Sequence, residues 1–476
     1  LGYTETVATT LFFYDLETSG TDPKTQRIMQ FAGQRTDMDL KPIGDPVNLL
    51  VALTEDVLPE PQAILITGIT PQKTQDEGYN EADFLKLLNE QVLLPDTIMV
   101  GFNSVRFDDE FMRYTLYRNF YDPYEWTWKD GRSRWDLLDV VRMTRALRPE
   151  GIKWPVKPDG APINRLELIS SENGLDHANA HDALSDVQAL IAVAQLLKSK
   201  QPKLFDYLLK MRDKKEVAKL VNLDDPQPFI YSSGRYPIGL DHTTVAYPLA
   251  PGGKPGSVIV YDLRHNPDDW QDMSVAELKE IKYANYETRQ MEGFVPLPAK
   301  ELAYNKCPAV APMGVLDSAA QARIKIDLKL VAQNLAKLRR SALASKLAEV
   351  FAGSEFAKTT DVDAQLYDGF VADSDKPKMN AVRNASAKDL ADFNPNFSDE
   401  RLAQLLLRYK ARNYPQSLNE AEQKLWDQYR AERLARDLPR YSQTLTLLAS
   451  QAKTTNSHFL LQEMQLWAES IAPLPD

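Results

Sequence analysis

The sequence predicts an α/β domain with a central sheet, then a small β-rich domain, then an all-α end, and three observations carry that reading. Over residues 10–200 short apolar runs alternate with helical patterns, as they do where strands lie beneath helices. Between 225 and 300 short β-rich runs are separated by proline–glycine clusters that mark tight turns. After Ser398 apolar residues recur at helical spacing. A chain of 476 residues exceeds one ordinary core, so two or three domains are expected.

In chain order, Thr10 to Tyr14 reads as a buried strand that ends at polar Asp15-Leu16-Glu17-Thr18. Thr97 to Phe102 is a second such run, and the proline-punctuated stretch between them (Pro59, Pro61, Pro71) is expected to be rich in loops. Residues 182–200 predict a helix capped by Asp182, apolar nearly all round over Ala189–Leu197 and therefore buried. Thr243 to Leu249 and Ser257 to Leu263 flank Pro251-Gly252-Gly253-Lys254-Pro255-Gly256, a hairpin signal. Helical patterns occupy 317–352, and the mixed, polar stretch Thr359 to Pro395 reads as an interdomain connection. Leu402, Leu405, Leu406 and Tyr409 form an apolar helical stripe, and Ser417 with Glu420 predicts a capping box for the next helix. The expected boundaries are 1–202, 203–355, a connecting segment 356–396, and 397–476.

Composition bounds the function. No run approaches the ~18 apolar residues of a membrane span, and the lone cysteine, Cys307, rules out an internal disulfide or a cysteine metal cluster. Leu1 is not methionine, so the chain is expected to begin inside a longer one; its opening residues lack the basic start and apolar run of a signal peptide. A cytoplasmic location fits these features. The net charge of −11 argues against nucleic acid as a partner, because phosphates attract Lys and Arg. Local balance differs: residues 132–165 carry eight basic side chains against four acidic ones, leaving room for a basic channel in an acidic protein.

The chemistry-bearing residues are acids. Asp15 and Glu17 are two apart on a strand and project from one face. Carboxylates held that close repel unless a cation lies between them, and hard divalent ions such as Mg²⁺ take such oxygen ligands. Alone, Asp-x-Glu reads as a solvated strand end. Asp108, just after the second strand, can add a third acid. Asp186 belongs in the first turn of the buried helix, with His181 on the loop before it, because five helical steps turn by about 500° and separate their faces. Asp109 and Asp182, beside these candidates, read as structural. His177 and His181 have the spacing of a zinc pair, but Asn173-Gly174 disfavours a continuous helix there and no glutamate follows His177.

The ordered set Asp15-x-Glu17, Asp108 and His181-x4-Asp186 resembles the DEDDh (DnaQ-like) exonucleases. Flanking strings, among them Leu65–Pro71, Val105–Glu110, Tyr117–Tyr124, Ser133–Val140, Leu147–Ile152 and Asn179–Ala183, are similar to those of the exonuclease I family. The likeness is strong over roughly 10–210, thins beyond 225, and returns at Lys306–Pro308 and Asp363–Tyr367. It implies an RNase H-like exonuclease domain followed by an SH3-like domain and a helical domain, closing a groove for processive digestion. It also implies two Mg²⁺ ions (Mn²⁺ being an alternative) held by Asp15, Glu17, Asp108 and Asp186, with His181 as general base. The implied reaction is 3′→5′ release of 5′-mononucleotides from single-stranded DNA, in DNA repair or recombination.

Residues 114–128 hold seven aromatic side chains, where the chain-wide 9% predicts between one and two. Bases of any sequence stack on such rings. Tyr117, Phe120 and Trp126 read as core. The resemblance implies strand contacts from Glu17, Arg113, Tyr124, Trp128, Arg142, Arg165 and Gln365. It further implies that the acidic C-terminal tail of single-stranded DNA-binding protein docks at Arg148 and Arg339, and the chain is expected to work as a monomer. Two other readings share the fold. An RNA-directed DEDDh exoribonuclease has the same metal site but usually lacks the 270 further residues. An inactive DNA-binding scaffold would have lost a ligand, and all five positions are intact.

Overall fold

The computed structural model describes residues 8–175, 182–353 and 359–472. They form two compact units, one of residues 1–133, 177–188 and 357–476 and the other of 134–176 and 189–356.

The first unit is built on strands β1 (Thr10–Thr18), β2 (Ile28–Thr36), β3 (Val47–Leu50) and β4 (Thr97–Gly101), in the spatial order β3-β2-β1-β4. β1 pairs antiparallel with β2 and parallel with β4. The strand reaches four residues past Tyr14, so Asp15 and Glu17 lie inside it rather than after it: Asp15 sits opposite Ala32, Glu17 opposite Gln30, and the register shifts only between Glu17 and Thr18. Phe12, Tyr14 and Leu16 point to one face and pack with Phe31, Phe84, Phe111, Met112 and Trp126. The alternation of a strand sends Asp15 and Glu17 to the other face.

The stretch between the two predicted strands is more ordered than its prolines suggest. Pro61 and Pro71 each stand in the first turn of a helix, α1 (Pro61–Thr67) and α2 (Pro71–Glu77). A first-turn N–H has no partner within the helix, so a residue lacking it costs nothing there. α3 (Glu81–Gln91) follows, capped by Asn80, and α4 (Asp108–Arg118) comes after β4. The helix predicted over 182–200 runs Ala183–Lys200, and the Asp182 carboxylate accepts from the Ser185 backbone N–H at 3.3 Å, as a cap does.

The C-terminal part of this unit is helical: Glu400–Asn413, Glu420–Gln451 and Thr455–Ile471. Leu402, Leu405, Leu406 and Tyr409 are buried against Tyr114, Tyr117 and Phe120. The stretch read as a connection also joins that core, through Val362, Leu366, Met379, Val382 and Leu390, and contains helices Lys376–Asn384 and Ala387–Ala391. Their few apolar residues suffice because they fill one shared core. The expected Ser417–Glu420 box does not form. Pro415 opens a 3₁₀ turn that places Ser417 before the helix, where its hydroxyl donates to Tyr414 O, and Asn419 with Glu422 makes the capping box instead.

In the second unit, strands Ala309–Pro312, Phe229–Ser232, Thr243–Pro251, Ser257–Asp262 and Ala299–Ala303 form an antiparallel sheet in that order, an SH3-like domain. The predicted hairpin is its centre. Helices Ser318–Arg323, Leu328–Leu338 and Leu343–Phe351 follow. Cys307 is buried, its thiol donating to Arg134 O at 3.1 Å.

Candidate active site

Asp15 and Glu17 leave the same face of β1, and Asp186 meets them from the first turn of the helix Ala183–Lys200. One carboxylate oxygen from each of the three lies within 4.8 Å of the others. Asp108 opens α4, is buried (5% exposed), and stands outside that trio. It is nonetheless close enough that, after burial itself, its charge is the strongest influence on Asp15.

The electrostatics at Asp15 and Glu17 are those of acids facing acids. Burial, then Asp108, Glu17 and Asp186, push the Asp15 carboxyl well above the usual range. Burial, then Asp186, Asp108 and Asp182, push Glu17 up to about 8. Like charges without a basic partner disfavour ionisation. Among the described residues Asp15 and Glu17 make no ion pair, so a divalent cation with hard oxygen ligands fits the set. Asp182 is a structural neighbour: it caps the helix and accepts from Gln30 Nε2 at 3.3 Å. Asp109 accepts a 2.6 Å hydrogen bond from the Tyr14 hydroxyl. His177 and His181 lie outside the described residues.

Of the expected strand contacts, five fall in the first unit, Glu17 of the acid cluster among them. Arg113 is largely buried, pairs with Glu110 at 2.8 Å, and lies over the Tyr124 ring at 5.5 Å. Trp128 is 61% exposed, while Tyr117, Phe120 and Trp126 are buried as expected of core. Gln365 donates to Thr359 O at 2.7 Å. Two aromatic residues that sequence reading did not single out join this group: Phe370, 88% exposed, has its ring 5.9 Å from that of Tyr124, and Tyr367 donates to Glu110 at 2.5 Å. They are some 250 residues away in the chain, beyond any local window. Tyr124 and Phe370 border a cavity of about 670 Å³.

The other expected residues belong to the second unit, each beside a partner. Arg142 pairs with Asp139 at 2.6 Å, and the exposed Arg165 pairs with Glu167. Arg148 donates to Val315 O at 2.8 Å and pairs with Asp317 at 3.2 Å. Arg339 lies over the Tyr247 ring at 5.5 Å.

A mixed sheet with clustered acids on its central strand, joined to an SH3-like sheet and a helical end, defines a DnaQ-like exonuclease with two accessory domains. Models of three families match along the chain: exonuclease over 12–194, the exonuclease I SH3-like domain over 212–353 and the exonuclease I C-terminal domain over 360–471. The chain belongs to the exonuclease I family. It is 40% identical to exodeoxyribonuclease I of Haemophilus influenzae over 458 residues, 95% of this chain and 97% of the relative. The crystal structure of Escherichia coli exonuclease I in complex with a dA16 oligonucleotide is similar at a TM-score of 0.94 and 38% identity, covering 98% of this chain and all of that one. A zinc-bound complex of the E. coli enzyme with single-stranded DNA is similar at 0.92 and 38%, over 97% of this chain and 99% of that one.

Proposed function

We propose that this chain is a 3′→5′ exodeoxyribonuclease that digests single-stranded DNA processively to 5′-mononucleotides, in DNA repair or recombination, using two Mg²⁺ ions for which Mn²⁺ can substitute. The convergence of Asp15, Glu17 and Asp186 oxygens within 4.8 Å carries the reading. It is supported by a relative of matching length named exodeoxyribonuclease I and by a similar enzyme solved with DNA.

Asp15, Glu17 and Asp186 would hold the ions, with Asp108 completing the set from the start of α4. When bound, such ions acidify a water and stabilise a departing 3′ oxygen. Glu17 also faces the terminal nucleotide. His181 takes the proton of the attacking water, a task suited to a side chain titrating near neutrality. Bases stack on Trp128, Tyr124 and the neighbouring Phe370, and Arg113 braces Tyr124 from its other partner, Glu110. Arg142, Arg165 and Gln365 complete the strand contacts. Asp139 and Glu167 release their arginines when phosphate arrives.

A monomeric cytoplasmic enzyme fits this reading; among the described residues no helix is long and apolar enough to cross a membrane. Docking of an acidic tail from single-stranded DNA-binding protein at Arg148 and Arg339 belongs to the same proposal. Such a tail has to compete with Asp317 for Arg148.

The test is hydrolysis of a 5′-labelled single-stranded DNA and an RNA of equal sequence, with and without EDTA. Metal-dependent shortening of the DNA from its 3′ end is expected. A clear preference for RNA makes the chain an exoribonuclease, and digestion unchanged in EDTA defeats the metal mechanism.

A further inference from the structure

Two buried residues outside the proposed ligand set sit beside two within it. Tyr14 immediately precedes Asp15 on β1, and Asp109 immediately follows Asp108 on α4. Both are nearly inaccessible, Tyr14 2% and Asp109 1% exposed, and the Tyr14 hydroxyl donates to Asp109 Oδ1 at 2.6 Å across 95 residues of chain. Strand alternation puts this bond on the core face of the sheet, one layer beneath the carboxylates on the opposite face.

The bond joins two elements of different kinds. β1 is paired on both edges, by β2 and β4, and the Tyr14 ring stacks on Phe31 at 6.1 Å and meets Trp126 edge-on at 6.4 Å. α4 begins without a side-chain cap, after Phe107 in an irregular conformation (φ −126°, ψ −77°) and Asn103 at φ 62°. Three acids, Asp108, Asp109 and Glu110, crowd its first turn. The strand, paired on both edges, thus grips the helix start through a short hydrogen bond to a buried carboxylate, a class of bond stronger than a neutral one.

We propose that the Tyr14–Asp109 hydrogen bond is a positioning device for the cation cage, fixing where Asp108 stands relative to Asp15, Glu17 and Asp186. The inference rests on the reading of those four acids as ligands. Asp109, read from sequence as merely structural, then acts through Asp108, and Tyr14 acts through Asp109. Partners behind a ligand shell typically change metal affinity 10–100-fold when removed.

Mn²⁺ binding to the full, metal-free chain, followed by calorimetry and by the loss of the free-ion paramagnetic resonance signal, tests this without an activity assay. Tyr14→Phe keeps the ring and deletes the donor, and is expected to weaken Mn²⁺ binding about 10-fold or more. Tyr117→Phe deletes another buried hydroxyl, one that donates to Val362 O at 3.0 Å in the core beside Phe120. It should lower the melting temperature in EDTA as much as Tyr14→Phe does, with wild-type Mn²⁺ affinity. Asp109→Ala is expected to weaken binding by at least as much as Tyr14→Phe, and the double variant by no more than the larger single loss, because both break one bond. Wild-type affinity in Tyr14→Phe, or additive losses in the double variant, overturns the device; should Tyr14→Phe fail to fold, wild-type affinity in Asp109→Ala does so. Wild-type protein that takes up no Mn²⁺, or Asp186→Asn that binds as well as wild type, defeats the ligand reading itself.

Discussion

The first unit contains two clusters of carboxylates, one half-buried except for Asp108 and one fully buried, and their surroundings drive them in opposite directions. In the cage, Asp15, Glu17, Asp108 and Asp186 face one another, and burial reinforced by mutual repulsion raises Asp15 and brings Glu17 to about 8. In the other cluster, Asp56, Glu81 and Asp363 are at most 2% exposed, yet arginines run between them. Arg412 contacts Asp56 at 2.7 Å and Asp363 at 2.5 Å, Arg27 lies 3.6 Å from Asp56 and 3.7 Å from Asp363, and Arg118 lies 3.2 Å from Glu81. Burial opposes charge on Asp56 too, but Arg412, Arg27 and Arg433 outweigh it and hold that carboxyl well below its usual range; Asp363 and Glu81 are lowered by the same competition. Loss of water opposes charge in both clusters, so it does not by itself set the direction. The neighbours do: the charges that act on Asp15 and Glu17 are those of other acids, whereas those that lower Asp56, Glu81 and Asp363 are those of arginines.

The largest effect expected from this contrast is on catalysis. Asp186→Asn removes a ligand and one source of repulsion together. Hydrolysis of single-stranded DNA should fall more than about 100-fold, beyond the usual cost of losing an outer-shell partner, while the melting temperature in EDTA stays level or rises. A melting temperature that drops by many degrees would mean that the cage is held together by its own contacts and the contrast is false. Second in size is Arg412→Met. It takes from Asp56 and Asp363 their shared cationic contact and leaves the longer ones to Arg27, and breaking one side of a buried pair costs about 3–5 kcal/mol. Urea unfolding measures that loss, and Mn²⁺ affinity of the folded protein should not change. A loss below about 1 kcal/mol would place the network among ion pairs of little consequence.

How much of this the sequence discloses depends on the range of each interaction. Asp15 and Glu17 are legible because period two on a strand is local, and Asp186 because a helix start is local. The hairpin around Pro251–Gly256 and the Leu402–Tyr409 stripe are legible for the same reason. Pro61 and Pro71 mislead because a proline marks a helix start as readily as a loop, and the choice depends on what α1 and α2 pack against. The Ser417 cap fails by two residues, since the 3₁₀ turn opened by Pro415 is invisible in a motif of four letters. The balanced network is not legible at all: Arg27, Glu81, Asp363 and Arg412 look like ordinary surface charges until the fold buries them together. Phe370 beside Tyr124 and Tyr14 beneath Asp109 are of that kind too, contacts between distant segments that no spacing rule reports.

The smallest expected effect is on the pH dependence of stability, and it sets the two clusters against each other. Glu17 has a folded value near 8 against 4.5 for a free glutamate, and Asp15 is raised in the same direction. The folded, metal-free chain therefore holds protons that the unfolded chain has released. The stability this confers is complete below about 4.5 and disappears as pH rises through about 8. Asp56, Glu81 and Asp363 have lowered values. Their contribution is present above the ordinary carboxylate range and is lost only as pH falls below it, so it is constant at neutral and alkaline pH. Melting temperatures taken in EDTA from pH 6 to pH 9 should consequently decline, and the decline belongs to the cage. Mg²⁺ displaces the cage protons, so its affinity should rise over the same interval and flatten the profile. Asp186→Asn, which takes away the strongest neighbouring charge on Glu17, should show a shallower decline than the wild type. Equal slopes with and without Mg²⁺ would show that these carboxyls are already ionised in the metal-free protein and that repulsion among them is relieved by some other means.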